Sequence, residues 1–336
     1  MKVKVAIAGG AGYTGGELLR LLLQHPQVDL VSVLSTTKGG EPLWKAHPDL
    51  LGNTDRTFDA QLPASGADVL FLCLGHGASR AFLDSHDVSS FAHIIDLSQD
   101  FRARDNQVYG GRSFLYALPE AYPHPDAYAT ALQEAGNAAN PGCFATAIQL
   151  ALLPLAQAGL LTSDIHVHAI TGATGAGAKL SETSHFPYRN NNISIYKPFE
   201  HQHLLEIRET LAALSHVSTE ALPPVYFIPV RGDFSRGIFA SVYTPCALSQ
   251  EEAEALYSAY YNPHPFVHVA PFGISLKEVV HTQKAFIHVE KHGAMLLITS
   301  ALDNLLKGAS GTAVQNMNTL MGLDPAQGLP TASIAY

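Results

Sequence analysis

Three groups of residues in this sequence have the types and spacing to do chemistry together. Cys143 follows Asn140-Pro141-Gly142 and leads into an apolar run with helical spacing: Phe144, Ala147, Ile148, Leu150, Ala151, Leu152 and Leu155. That order predicts a helix with Cys143 at or near its N-terminus, where unpaired backbone N–H groups and the helix dipole stabilise an anion. A cysteine so placed can have its pKa lowered and react as a thiolate. Near the start of the chain, Gly10-Ala11-Gly12-Tyr13-Thr14-Gly15 has the G-x-G-x-x-G spacing whose glycines permit a tight turn and close approach to a dinucleotide pyrophosphate. Further on, His201 and His203 stand at the entrance to a helix expected to begin near Leu205, with Glu206 three residues beyond His203. A histidine titrates near neutrality and can move a proton. The combined chemistry is a thiolate that accepts an acyl group as a thioester and a nicotinamide that reduces it. His203 is the first choice and His201 the second for the proton. Glu206 is placed to orient His203 or to sit as an N-terminal helix carboxylate. Backbone N–H groups near Cys143 could form an oxyanion hole.

These groups need elements to position them. Val3–Ala8 reads as a buried strand, 9–15 as a glycine loop, 16–24 as a leucine-rich helix and 28–35 as a second strand, which makes a βαβ unit. Val69–Leu74 and His93–Leu97 read as further strands with polar or glycine loops at their ends, where open parallel sheets bind ligands. Gly75-His76-Gly77 is such an end and is expected to touch the cofactor. Residues 47–63 and 100–128 read as irregular. Beyond the Cys143 helix, strands are expected at 165–171, 225–230, 237–243, 281–289 and 295–301. Helices are expected at 206–214 and 250–261, with a long final helix over 304–321. That run predicts a second domain with a mixed or antiparallel sheet.

Bulk composition bounds the class. A chain of 336 residues with 47% hydrophobic and 15% charged residues fits a two-domain globular enzyme. A net charge of −9, with no Lys/Arg-rich run, argues against nucleic acid as a partner. No apolar run reaches the length of about 18 residues that a membrane span requires. The N-terminus has no signal-peptide pattern. Three cysteines, Cys73, Cys143 and Cys246, are too few for a disulfide framework and match no zinc spacing. The expectation is a cytoplasmic protein with no metal. At the end of the second strand, Ser35, Thr36 and Lys38 stand where an NAD site carries an acid, and a lysine there can hold a 2′-phosphate. NADP is therefore the expected cofactor.

The chain resembles the N-acetyl-γ-glutamyl-phosphate reductase family, relatives of aspartate-semialdehyde dehydrogenase. The resemblance rests on motifs in order: residues 9–15, Leu74-Gly75-His76-Gly77-Ala78-Ser79, Asp96-Leu97-Ser98-Gln99-Asp100-Phe101-Arg102 and Tyr116-Ala117-Leu118-Pro119-Glu120. Asn140-Pro141-Gly142-Cys143, residues 201–207, Arg236-Gly237-Ile238 and residues 303–309 complete it. It implies an α/β fold: a Rossmann dinucleotide-binding domain (1–142 with 304–336) and an inserted α+β substrate and dimerisation domain (143–303). It implies NADPH-dependent reduction of an N-acylated γ-glutamyl phosphate, a small-molecule substrate, to the semialdehyde plus phosphate in arginine biosynthesis. It also implies a homodimer or homotetramer. By their places in matched motifs, Asn304 and Lys307 join the cofactor residues, and Arg102, Asn140 and Arg236 become the expected substrate residues; Arg112, Arg231 and Lys179 are further cationic candidates. The sequence departs from the family pattern at Lys179, where an arginine is usual, at Leu205, where proline is usual, and in Asn190-Asn191-Asn192 and the second arginine of 231–237. The acyl group therefore stays open among N-acetyl, N-succinyl, aspartyl and carrier-bound α-aminoadipyl. A non-catalytic NADP-binding regulator is the alternative of another class.

Overall fold

The structure, a computed structural model, describes residues 2–333; Met1 and residues 334–336, the end of the segment assigned above to the first domain, lie outside the described residues. The chain divides into two compact units. The first takes in residues through Ala117, then Ala129–Pro141 and Ala309–Leu329; the second takes in Leu118–Tyr128, Gly142–Gly308 and the chain from Pro330. Three segments expected in the first domain, 118–128, 304–308 and the chain from Pro330, together with Gly142, thus group with the second. Long-range ties hold the first two: the Tyr260 hydroxyl donates to the Glu120 carbonyl at 2.8 Å, and Lys307 pairs with the Glu120 carboxylate at 2.6 Å.

The first unit is built on β1 (Val3–Ala8), α1 (Tyr13–Gln24), β2 (Val28–Leu34), β3 (Val69–Leu72), α2 (Ala78–Ser85), β4 (His93–Asp96), β5 (Val108–Tyr109) and β6 (Arg112–Tyr116), followed by α3 (Pro125–Ala135) and β7 (Gly136–Ala139). Its sheet has the order β2-β1-β3-β4-β7-β6-β5 and is parallel except for the β5–β6 hairpin. The central strands are continuous apolar runs because both faces are covered: every residue of β3 is fully buried, as are Val5 to Ala8 of β1. The stretch read as irregular, 100–128, contains β5, β6 and the start of α3. Strands this short carry too little period-two signal to be seen in sequence.

The second unit begins with α4 (Cys143–Gln157) and continues through β8 (Ile165–Thr171), α5 (Phe186–Arg189), β9 (Ser194–Ile195), α6 (His203–Leu214), β10 (Val225–Arg231), β11 (Ile238–Pro245), α7 (Gln250–Tyr261), β12 (Val267–Val269), β13 (Ala285–His292) and β14 (Met295–Leu302). Its sheet, β12-β13-β14-β11-β8-β10-β9, mixes parallel and antiparallel pairs, as expected. Residues alternate in and out along β8 and β11, so one face carries the core. Helix α4 is buried from Phe144 to Ala156 and holds Pro154 in its interior. Proline lacks the N–H that would reach the Leu150 carbonyl. The Tyr261 hydroxyl from α7 donates to that carbonyl instead, and Tyr257 donates to the Ala151 carbonyl at 2.6 Å. The long final helix expected over 304–321 is two pieces: a π-helical turn, Leu306–Ser310, and α8 (Gly311–Leu320). Among the described residues no helix is long and apolar enough to cross a membrane.

Candidate active site

In the first unit the glycine loop joins β1 to α1, and its glycines do different work. Gly9 adopts φ +85°, and a Cβ there would lie 2.4 Å from the Cys73 carbonyl oxygen. A Cβ on Gly15 would lie 2.6 Å from the Gly9 carbonyl oxygen, so that glycine lets the helix close on the turn. Gly12 is the open position: a Cβ would meet nothing nearer than 3.8 Å. Gly12 is also the N-cap of α1; no side chain caps it and no acid stands in the first turn. The positive end of α1 is thus left for a ligand phosphate. By contrast, the N-terminus of α2 is taken by Asp100, whose carboxylate accepts from the N–H groups of Gly77 (2.7 Å), Ser79 (3.0 Å) and Arg80 (3.2 Å). Gly75, His76 and Gly77 are exposed, with open space over both glycines. Ser35 is buried at the end of β2, Thr36 is exposed, and Lys38 is half-buried, 3.6 Å from Glu41. A dinucleotide fits these residues.

His47 lies inside the stretch 47–63 that reads as irregular. It is buried, its Nε2 is 2.7 Å from the Gly10 carbonyl, and its ring fills the place of a side chain on Gly16. Burial lowers its pKa, so it braces the loop as a neutral ring. A single histidine far from the motif gives no sequence signal for this role.

In the second unit Cys143 is the first residue of α4, with Gly142 as N-cap. The Glu206 carboxylate ties this turn to α6: Oε2 accepts the Gly142 N–H at 3.0 Å, and Oε1 lies 3.9 Å from His203 Nε2. The Gln149 side chain donates to the Glu206 carbonyl at 3.0 Å. Helix α6 starts at His203 itself, earlier than expected, and this settles how two histidines share one place. His201 precedes the helix, and its Nδ1 accepts the His203 N–H at 3.3 Å. The two rings meet edge to face at 4.6 Å, and both pack against Phe144, the neighbour of Cys143. Tyr196, unforeseen in the sequence, packs against His201 at 5.8 Å. Its hydroxyl pKa is raised first by burial and then by the charge of Cys143, against an opposing pull from Arg231. Gly308 is the other neighbour: a Cβ there would come within 2.9 Å of the Cys143 Cβ.

Several residues expected to meet cofactor or substrate have partners within the fold. Lys307 is fully buried, and its ammonium pairs with the fully buried Glu120, so it anchors the π-turn. Asn304 accepts the Gly237 N–H at 2.7 Å and donates to Thr174 Oγ1 at 3.1 Å, which commits both ends of its amide within the second unit. Asn140 is fully buried in the first unit; it donates to the Ala309 carbonyl at 3.0 Å and accepts from Asn316 at 3.1 Å. Both ends of its amide are thus engaged within the first unit. Arg102 donates to the carbonyls of Asn140 (2.8 Å) and Leu97 (3.0 Å), and Arg112 to those of Phe91 (2.7 Å) and Val88 (2.9 Å). Both brace main chain. Arg236 forms a two-pronged pair with the fully buried Asp303, at 2.9 and 3.1 Å. Lys179 is exposed.

A family model for the semialdehyde dehydrogenase NAD binding domain matches residues 4–129, and one for the semialdehyde dehydrogenase dimerisation domain matches residues 143–304. The fold is similar to that of aspartate semialdehyde dehydrogenase II of Vibrio cholerae, complexed with ASA, with a TM-score of 0.71 at 16% identity over 96% of this chain and 99% of that one. It is also similar to aspartate semialdehyde dehydrogenase with NADP from Candida albicans, with a TM-score of 0.69 at 13% identity over 96% and 99% of the two chains. Together these define the class: an oxidoreductase fold of the semialdehyde dehydrogenase type, with a dinucleotide-binding domain and a dimerisation domain. Relatives alike in sequence along the whole chain narrow it. The chain is 50% identical over 327 residues to the N-acetyl-gamma-glutamyl-phosphate reductase of Flavobacterium johnsoniae, covering 97% of this chain and 98% of that protein. It is 49% identical over 334 residues to the protein of the same name from Bacteroides thetaiotaomicron, covering 99% and 100%. The chain belongs to the N-acetyl-gamma-glutamyl-phosphate reductase family.

Proposed function

We propose that this protein reduces N-acetyl-γ-glutamyl phosphate with NADPH to the semialdehyde plus phosphate, a step of arginine biosynthesis, through a thioester on Cys143. The observation that carries the reading is the link from Cys143 to a histidine: Gly142, the N-cap of the cysteine's helix, is held by the same carboxylate that stands beside His203. The helix N-terminus favours the thiolate. Its Sγ attacks the acyl carbon, the C–O bond to phosphate breaks, and phosphate leaves with the electron pair. A reduced nicotinamide, when bound, supplies the hydride that the thioester carbonyl accepts. N–H groups in the first turn of α4, which lack intrahelical acceptors, stabilise the oxyanion. His203 gives the oxyanion its proton and takes it back as the C–S bond breaks and the aldehyde leaves. Glu206 orients His203, and His201 supports the turn through its Nδ1. The glycine loop and Gly75-His76-Gly77 hold the dinucleotide, with Ser35, Thr36 and Lys38 at the 2′-phosphate; the Lys38–Glu41 pair is a surface contact that a phosphate can displace. The assembly is a homodimer or homotetramer formed through the second unit, in the reducing cytoplasm where Cys143 stays a thiol.

The test is the reverse reaction: NADP reduction that requires both phosphate and a semialdehyde, run with N-acetyl- and N-succinyl-glutamate semialdehyde. Turnover of the N-acetyl compound, lost in Cys143→Ala with NADPH binding intact, is the expected result. Near-normal activity of that variant ends the cysteine mechanism. A clear preference for the N-succinyl compound moves the substrate assignment but leaves the chemistry.

A further inference from the structure

Arg236 of the second unit is neutralised by Asp303. Among the described residues, Arg189 and Arg231 differ from it in having no carboxylate paired with them. Arg189 is buried; it donates to the Arg231 carbonyl at 2.7 Å and to Ser194 Oγ at 3.0 Å, while its Nε is buried with no hydrogen-bond partner. Arg231, at the end of β10, is half-buried, its guanidinium carbon 4.7 Å from the centre of the Tyr196 ring. Its Nε is likewise buried without a partner, and the side chain shares a hydrogen bond with Tyr196. Among the described residues no carboxylate pairs with either arginine. A guanidinium cannot shed its charge, and burying one uncompensated is costly. The place is also specific: Tyr196, under Arg231, packs against His201, whose ring meets Phe144, the residue after Cys143.

The geometry points to Arg231, backed by Arg189, as the group that holds an oxyanion of the substrate, a carboxylate or the phosphate, beside Cys143. This rests on the reductase reading for the identity of the substrate. An acyl phosphate of this class carries both kinds of oxyanion, and the planar fork of arginine suits either by two parallel hydrogen bonds. Arg236 and Arg102, favoured from the sequence, have donors committed to Asp303 and to main-chain carbonyls; Arg231 is held by Tyr196 and has no carboxylate partner among the described residues.

Two measurements test this. The first is the rate of Cys143 alkylation by anionic iodoacetate and by neutral iodoacetamide, followed by mass spectrometry of the Cys143 peptide. In Arg231→Met the iodoacetate-to-iodoacetamide ratio is expected to fall about tenfold, with the iodoacetamide rate unchanged, because only the charged reagent loses a charge-assisted contact. Arg231→Lys, which keeps the charge without the fork, is expected to fall less. An unchanged ratio overturns the proposal. So does an equal fall with both reagents, which would mean that Arg231 acts on the thiol itself. The second is the reverse reaction in Arg231→Met. A KM for inorganic phosphate raised about tenfold assigns Arg231 to the phosphate, and an equal rise for the semialdehyde assigns it to a carboxylate. If neither KM moves, Arg231 does not hold substrate. The alkylation needs no turnover. A wild-type chain inactive on these substrates therefore sinks the reductase reading, while the alkylation ratio still decides whether Arg231 attracts an anion to Cys143.

Discussion

The glycine loop and the cysteine site are built on opposite principles. The loop is contiguous, residues 9–16, and works by leaving side chains out: Gly15 closes the turn and Gly12 keeps a space open. The cysteine site works by bringing side chains in from separate segments: Cys143, Tyr196, the His201–Glu206 turn and Arg231. A local device announces itself in a hexapeptide. A site assembled over long range shows in sequence only as isolated residues, and its geometry depends on the packing that carries them.

That contrast can be broken by substitution. The largest effect is expected at Gly308, where the cysteine site also relies on a missing side chain. Gly308→Ala puts a Cβ 2.9 Å from that of Cys143. A displacement of the nucleophile by a fraction of an ångström is expected to lower kcat about 100-fold. Dinucleotide affinity, read by fluorescence titration, should be unchanged; full activity would show that the cysteine site tolerates movement. In the loop, Gly12→Ala and Gly15→Ala should separate. Gly12→Ala meets nothing nearer than 3.8 Å within the chain, so Tm should hold while the Kd for NADPH rises about tenfold. Gly15→Ala collides with backbone at 2.6 Å and should cost about 1–3 kcal/mol of stability. Equal Tm values for the two would remove the distinction between a glycine that packs and one that receives a ligand.

Much of this was legible in the sequence. Continuous apolar runs marked β1 and β3, the order Pro-Gly-Cys before an apolar helical pattern placed Cys143 at a helix start, and five strands of the second unit, β8, β10, β11, β13 and β14, fell close to their expected spans, while the short β9 and β12 escaped. What escaped depends on partners. Nothing in the sequence says that Lys307 is spent on Glu120, that Arg236 is spent on Asp303, or that Asn140 and Asn304 use both ends of their amides inside the fold. A residue in a motif can serve a ligand or a neighbour, and only the contacts separate the two. Tyr196 and His47 escaped for the converse reason: each sits in a stretch without period, and its place is set by what folds against it.

The smallest effect expected is a pH dependence in the first unit. Asp96, fully buried at the end of β4, accepts from the Ser79 and Ser98 hydroxyls at 2.6 and 2.7 Å, yet burial still pushes its pKa up to about 6. The folded pKa lies above the unfolded value of about 3.9, so the native chain holds this proton more tightly. Its contribution to stability is full below about pH 4 and is lost as pH rises through about 6. Between about pH 5 and pH 6.5 the wild type should lose about 1 kcal/mol relative to Asp96→Asn, read from urea midpoints at each pH. A gap between the two that does not change with pH would show that the carboxylate stays ionised in the fold.

The claim on which the rest depends is the thioester on Cys143. The direct measurement is a rapid-mixing experiment with enzyme, NADP and N-acetylglutamate semialdehyde in the absence of phosphate. Thiol addition to the aldehyde and oxidation by NADP should form the acyl-enzyme and stop there, since its acceptor is missing. A burst of about one NADPH per chain is expected, with the intact chain heavier by the acyl group at Cys143 and turnover restored by added phosphate. No burst, or a burst that persists in Cys143→Ala, would contradict the account.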